Sequence, residues 1–109
     1  MTILTQAFAA LSDETRFAVV ERLMSEGELP AGALLDPSRM SAPAMSRHLK
    51  VLRKAGLIKQ RIDGTKRLYS VRPEAMQSIA DWTMDHRSFW EASLDRLDAH
   101  LASDEETKT

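Results

Sequence analysis

Apolar residues recur at helical spacing in the first third of the chain and predict three helices. Residues 3–11 and residues 14–25 each carry apolar side chains three or four positions apart, as one face of a helix does. Gly27 follows the second stretch and belongs to the residue type that most often closes a helix. Pro30 then suits the first turn of a short helix, and Asp36 before a proline ends it.

The middle of the chain changes from a helical to an alternating pattern. Residues 41–55 predict a fourth helix, with Ser41 as its N-cap and apolar residues four and three positions apart along it. Residues 57–71 then alternate in the manner of β-strands. Asp63 and Gly64 divide this segment, and this dipeptide between two strands is a strong hairpin signal.

A long apolar stripe runs along the last third of the chain. Pro73 opens a predicted helix over residues 74–102, and residues 103–109 are predicted to be a polar tail. The apolar positions of this helix are Met76, Ile79, Trp82, Phe89, Trp90, Leu94, Leu97 and Leu101. With 109 residues the chain is expected to form one domain over residues 1–102, mainly helical with a small β-hairpin.

Positive charge is concentrated between Arg39 and Arg72. This segment contains ten Lys or Arg residues and a single acid, Asp63, so its net charge is +9. The remaining five cations and 15 acids give the rest of the chain a net charge of −10. Such a one-sided block inside a folded domain is typical of a face that binds a polyanion, because phosphates relieve the repulsion among its cations.

The order of the predicted elements is that of a winged helix-turn-helix. In this arrangement one helix enters the DNA major groove and the hairpin, or wing, reaches the adjacent backbone. Helix 41–55 would therefore face bases, and wing 57–71 would face phosphates. The candidate DNA-contacting residues are Pro43, Ala44, Ser46, Arg47, His48, Lys50, Lys54, Lys59, Arg61, Lys66 and Arg67. His48 has a second interpretation, as a histidine packed at the edge of the core.

Three segments of the sequence resemble ArsR-type (ArsR/SmtB) transcriptional repressors. They are ALSDETRFAVVERL at residues 10–23, SRHLKVLRKAGLI at residues 46–58 and DGTKRLYSV at residues 63–71. The likeness extends over roughly residues 4–100. It implies a homodimeric DNA-binding repressor. A symmetric dimer would present its two recognition helices to an inverted-repeat operator and block polymerase there, with its own gene as one candidate target.

The same resemblance implies that the first and last helices form the dimer interface. The corresponding apolar residues are Leu4, Phe8, Leu11, Ile79, Trp82, Phe89, Trp90, Leu94 and Leu97. A symmetric contact between two copies would bury the tryptophans and supplement the modest core of a short chain. A ligand pocket formed by Trp82, Phe89 and Trp90 is the alternative use of these aromatic rings.

The family that these segments resemble is best known for metal sensing, and the chain departs from both of its metal-site patterns. It has no cysteine, and Asp85 and His86 are adjacent rather than separated by one residue. His86 and His100 would lie about 21 Å apart along one helix, so they could meet only between antiparallel subunits. We therefore expect no metal and no other cofactor. A metal-responsive repressor that uses His86 and His100 is the alternative.

Other classes of protein are disfavoured by what the sequence lacks. It shows no paired nucleophile and base, no glycine-rich phosphate loop and no paired carboxylates in an apolar setting, so we expect no enzyme. It has no signal peptide, no apolar run of membrane-spanning length and no cysteine, so we expect a cytoplasmic protein without a membrane partner. A protein-interaction module whose basic face binds an acidic partner is the alternative from another class. The inducer is unknown from sequence.

Overall fold

The computed structural model describes residues 3–107, and their side chains as far as residue 104. The elements in chain order are α1 (Ile3–Leu11), α2 (Glu14–Glu26), β1 (Leu29–Pro30), α3 (Ala31–Leu34), α4 (Ala42–Lys54), β2 (Ile58–Asp63), β3 (Lys66–Val71), α5 (Pro73–Asp85) and α6 (Arg87–Thr107). Helices α1, α2 and α4 and the hairpin of β2 and β3 lie close to their predicted bounds. The winged helix-turn-helix order is therefore confirmed.

A short strand ahead of α3 adds a third member to the predicted hairpin. Strand β1 pairs antiparallel with β3, through Leu29 with Tyr69 and Pro30 with Leu68, and the sheet order is β1-β3-β2. The sequence predicted only a hairpin because a two-residue strand is too short to show alternation. Pro30 is tolerated because β1 is an edge strand, where a missing N–H breaks no ladder.

The core lies in a compact unit of the chain that ends at Gln77. Its buried apolar residues are Ala7, Ala10, Val19, Val20, Leu23, Leu34, Met45, Leu49, Leu52, Leu57, Ile58 and Tyr69. Helix α1 contributes only its two alanines to this core. Its larger residues remain half-buried, at Leu4 and Leu11, or exposed, at Phe8.

The turn after α4 is a Schellman motif that joins this helix to the wing. Gly56 has a φ angle of 78°, its N–H donates to the carbonyl of Arg53, and the Leu57 N–H donates to the carbonyl of Leu52. A left-handed φ suits glycine, since it has no Cβ. Leu52, Leu57 and Ile58 are the largest fully buried side chains. The turn therefore fixes the direction of β2 relative to α4.

The structure divides the single helix predicted for residues 74–102 into α5 and α6, with His86 between them. The His86 N–H donates to the carbonyl of Thr83, three residues back, instead of that of Trp82. The ring Nδ1 of His86 lies 2.8 Å from the Trp82 carbonyl, which can only accept, so the ring donates the bond that the backbone would have made. The spacing of apolar residues does not reveal that a side-chain donor replaces the backbone N–H at this position.

Residues 103–107, predicted to belong to a polar tail, continue α6. Residues 108 and 109 of that predicted tail lie outside the described part of the chain. The unit from Ser78 onward contains α6, in which no described side chain is buried. Its apolar stripe of Trp90, Leu94, Leu97 and Leu101 is more than half exposed.

Replacing Leu52 by alanine should destabilise the fold by about 2–5 kcal/mol, because the side chain is fully buried where α4 meets the wing. Urea unfolding followed by circular dichroism measures this change. The neighbouring Val51 is 40% exposed, and Val51→Ala serves as the control with a much smaller expected change. Equal losses in the two variants would mean that the core is not centred on Leu52.

Candidate nucleic-acid interface

Helix α4 presents one polar face to solvent because its other face is anchored in the core. The Ser41 hydroxyl accepts from the Ala44 N–H, which caps the helix, and Pro43 lies in its first turn. Met45 and Leu49 are buried, as is Leu52 one turn later. The exposed residues of the opposite face are Pro43, Ser46, Arg47, Lys50, Arg53 and Lys54.

The wing is a tight hairpin whose register divides its side chains between two faces. Asp63 pairs with Lys66 across a two-residue turn, and Gly64 has the left-handed φ of 63° that a type II′ turn needs at its first central position. Ile62 pairs with Arg67, and Gln60 with Tyr69, so these four lie on one face. The opposite face of the hairpin carries Lys59, Arg61 and Lys66.

An open cleft of about 560 Å³ lies between α4 and the wing. It is lined by Ser46, Lys50, Arg53, Lys54, Ile58, Lys59, Gln60, Arg67, Tyr69 and Arg72. Six of these residues are cations, and no described residue that lines the cleft is acidic. We call these six residues the cleft cations. A cleft lined by one sign of charge concentrates ligands of the opposite sign.

The structure brings five of the predicted site residues into this cleft: Ser46, Lys50, Lys54, Lys59 and Arg67. Pro43 and Arg47 lie on the exposed face of α4 outside it, Ala44 is half-buried nearby, and Lys66 lies at the turn of the wing.

Sequence reasoning missed three polar residues of the cleft. Arg53 lies seven positions after Ser46, two helical turns along the same face, so helical spacing could have identified it. Gln60 and Arg72 carry no comparable signal. Arg72 reaches the cleft because its N–H donates to the Leu57 carbonyl, which brings the end of β3 beside α4.

Arg61 has an acidic partner inside the protein. Its Nη2 lies 2.6 Å from Oε1 of Glu28 and its Nε lies 3.1 Å from Oε2. The hydrogen bond from Arg61 holds the pKa of Glu28 below its ordinary value, with Lys59 adding a smaller attraction. Glu28 precedes β1, so no sequence pattern linked these two residues 33 positions apart.

His48 lies against the start of α2. Its side chain is 22% exposed, and its Nδ1 is 3.2 Å from Nη1 of Arg16 and 3.8 Å from the carboxylate of Asp13. Arginine only donates, so Nδ1 accepts and a neutral ring carries its proton on Nε2. Asp13 caps α2 by accepting from the Arg16 N–H, and this bond lowers the pKa of Asp13. These contacts favour the packed-histidine interpretation over a phosphate contact.

The two histidines of the metal alternative have local partners. His86 binds the Trp82 carbonyl, and Nε2 of His100 lies 3.5 Å from the carboxylate of Asp104. Among the described residues, no three histidine or carboxylate side chains gather as a metal site would require. In the same part of the chain, no helix is long and apolar enough to cross a bilayer.

A family model described as a helix-turn-helix domain matches residues 11–61. The HTH-type transcriptional regulator Rv2034 of Mycobacterium tuberculosis is 40% identical over 89 residues, which are 82% of this chain and 79% of that protein. The transcriptional repressor SdpR of Bacillus subtilis is 28% identical over 75% of this chain and 90% of its own length. These relatives are named as regulators, as the sequence predicted, and not as enzymes.

Solved structures agree with this assignment. The solution structure of a homodimeric winged helix-turn-helix DNA-binding domain from Mycobacterium bovis shares the fold, with a TM-score of 0.61 and 23% identity over 78% of this chain and 81% of that one. The crystal structure of an ArsR family transcriptional regulator, RHA00566, has a TM-score of 0.74 and 30% identity, and covers 83% of this chain and 98% of that one. With the cleft of α4 and the wing in place, these matches show that the chain belongs to the ArsR family of winged helix-turn-helix transcriptional regulators.

Proposed function

We propose that this regulator acts as a homodimeric repressor that binds an inverted-repeat DNA operator. The observation that carries the proposal is the cleft between α4 and the wing, with its six cations and no described acid. The phosphates of a duplex would replace the counterions that these side chains otherwise attract. Transcription is repressed when the bound dimer covers a promoter, its own among the candidates.

In this proposal α4 enters the major groove by its N-terminal half, and its residues divide between two tasks. Ser46 and Arg47 reach base edges, and Arg47 favours guanine, whose N7 and O6 match its donors. Pro43 and Ala44 lie beside them at the start of the helix, where the small side chains of Ala44 and Ser46 allow a close approach to the bases. The cleft cations, with Lys66 at the turn, contact phosphates and supply affinity without sequence preference.

The dimer is proposed to form through α1 and the last two helices. Support comes from the exposure of Phe8 on α1 and of the α6 stripe, which includes Trp90 and Leu94. Exposed apolar residues at helical spacing are typical of a surface that a second copy covers. The Mycobacterium bovis neighbour is itself described as homodimeric. The remaining interface residues, Leu4, Leu11, Ile79, Trp82, Phe89 and Leu97, belong to the same proposal.

Release from DNA would require a ligand or protein that prefers another dimer geometry, and the chemistry of this inducer stays open. Relatives named for arsenical resistance, such as the operon repressor of Escherichia coli, make metal response the second candidate. That protein is 40% identical over 62% of this chain and 58% of its own length. Zinc titration of the dimer tests His86 and His100 directly.

A regulator of this kind works beside the genome, which is why the proposal includes a cytoplasmic location.

Selection from a random DNA duplex pool, with metal-free protein at near-physiological salt, tests the function. We expect an enriched inverted repeat with half-sites about one helical turn apart. Repeating the selection with Arg47→Ala should relax the preference at one position per half-site, by about 1–3 kcal/mol. Salt-sensitive binding without enrichment would instead favour a basic face that binds acidic proteins.

Reversing the charge of Arg67 should weaken binding to every duplex and flatten its salt dependence, because Arg67 lines the cleft. Each lost phosphate contact should reduce the slope of log K against log salt by about 0.9. Arg96→Glu is the matched control, since it reverses the charge of an exposed arginine of α6 that does not line the cleft. Fluorescence anisotropy across a salt series measures both. Equal losses would mean that the cleft face is not the binding face.

Replacing Trp90 by alanine should dissociate the dimer, because the ring lies in the exposed apolar stripe of α6. Sedimentation equilibrium measures the change in the dimer dissociation constant. Asp95→Ala alters an exposed residue of the same helix away from that stripe, and should leave the dimer intact. A Trp90→Ala protein that sediments as the wild type does would remove α6 from the proposed interface.

A further inference from the structure

We propose that Glu28 limits the DNA affinity of this protein by keeping Arg61 away from phosphate. The inference rests on the proposed DNA-binding function and deepens it, since it assigns one cation of the wing to an internal partner. Arg61 was a predicted phosphate contact. Its surroundings give it a different role from that of Arg67, although both belong to the same basic hairpin.

The geometry of the pair occupies the guanidinium as a phosphate would. Two bonds, of 2.6 Å and 3.1 Å, join Nη2 and Nε of Arg61 to the two carboxylate oxygens of Glu28. Bidentate, charge-assisted pairs of this kind are among the stronger hydrogen-bonded contacts in proteins. A phosphate approaching Arg61 therefore meets a guanidinium whose charge is already balanced by Glu28. The Nε and Nη2 donors of that guanidinium are already hydrogen-bonded.

Arg61 lies outside the lining of the cleft. Arg61 pairs with Leu68, whereas Gln60 pairs with Tyr69, and successive residues of a strand point to opposite faces. Gln60 and Arg67 line the cleft, and Arg61 does not. Glu28 lies just before β1, which pairs with β3 on the edge away from β2. The ion pair thus spans β3 on the sheet face of Arg61, and neither of its residues lines the cleft, although Lys59 on the same face does.

The positive charges around Glu28 keep its carboxylate ionised and paired with Arg61. Its side chain is 34% exposed and that of Arg61 is 58% exposed, so DNA can reach the pair but must displace a partner to use it. Lys59 also attracts Glu28, and together with Arg61 it keeps the pKa of Glu28 below the ordinary value. The carboxylate therefore remains charged at neutral pH and competes with phosphate under the conditions of binding.

A double-mutant cycle of Glu28→Gln and Arg61→Gln, measured by fluorescence anisotropy on one duplex across a salt series, tests the proposal. Glu28→Gln should bind several-fold more tightly than wild type, with a salt slope steeper by up to about 0.9, the value for one added phosphate contact. The gain should vanish without Arg61, so that the double variant binds no more tightly than Arg61→Gln alone. Thermal unfolding by circular dichroism verifies that the four proteins are folded.

Glu26→Gln is the matched control for net charge. Glu26 is also an exposed carboxylate in an ion pair, 2.7 Å from Arg22 on α2, and lies two residues before Glu28. A comparable gain in Glu26→Gln, or a gain in Glu28→Gln that survives the loss of Arg61, would show only general repulsion of DNA and overturn the proposal. Weaker binding by Glu28→Gln would overturn it too, because the pair would then position the wing. If no protein of the set, wild type included, shows salt-dependent duplex binding, the DNA-binding function itself fails.

Discussion

The fixed angle between α4 and the wing is the constraint on which the cleft depends. It is set at one turn, where Gly56 adopts a left-handed φ and the buried side chains of Leu52, Leu57 and Ile58 follow the chain around it. The N–H of Arg72 then binds the Leu57 carbonyl, so the second arm of the wing is tied to the same point. Cations from three separate segments converge because these contacts set the direction of the wing relative to α4.

The distribution of acids complements that of the cations. Arg61 and one of the cleft cations, Arg72, each have a carboxylate partner, in Glu28 and Glu74 respectively, although no described residue of the cleft lining is itself acidic. Repulsion among the cleft cations raises the free energy of the unbound protein, and a polyanion lowers it. An internal acid beside a cation reduces this repulsion locally, as Glu74 does beside Arg72.

Elements whose apolar residues repeat at a regular spacing could be predicted from the sequence. Contacts between residues far apart in the chain could not. Helix α4 and the hairpin follow from apolar spacing and from Gly64, and the glycine after α4 marks its end. Strand β1 is too short to carry a period. The break at His86 arises when a ring replaces a backbone donor, and the Glu28 partner of Arg61 depends on sheet pairing across 33 positions. Arg53 could have been found, since it repeats the face of Ser46 after two turns.

The contacts around Gly56 join residues that are close together in the sequence, and this affects the order in which the chain folds. Leu52, Leu57 and Ile58 lie within seven residues, and the hairpin closes through a two-residue turn, so little chain entropy is lost when α4, β2 and β3 come together. Pairing of β1 with β3 joins Leu29 to Tyr69 and must close a far longer loop. We expect the segment from α4 to β3 to gain its structure early, with β1 docking as a late step that also brings Glu28 to Arg61.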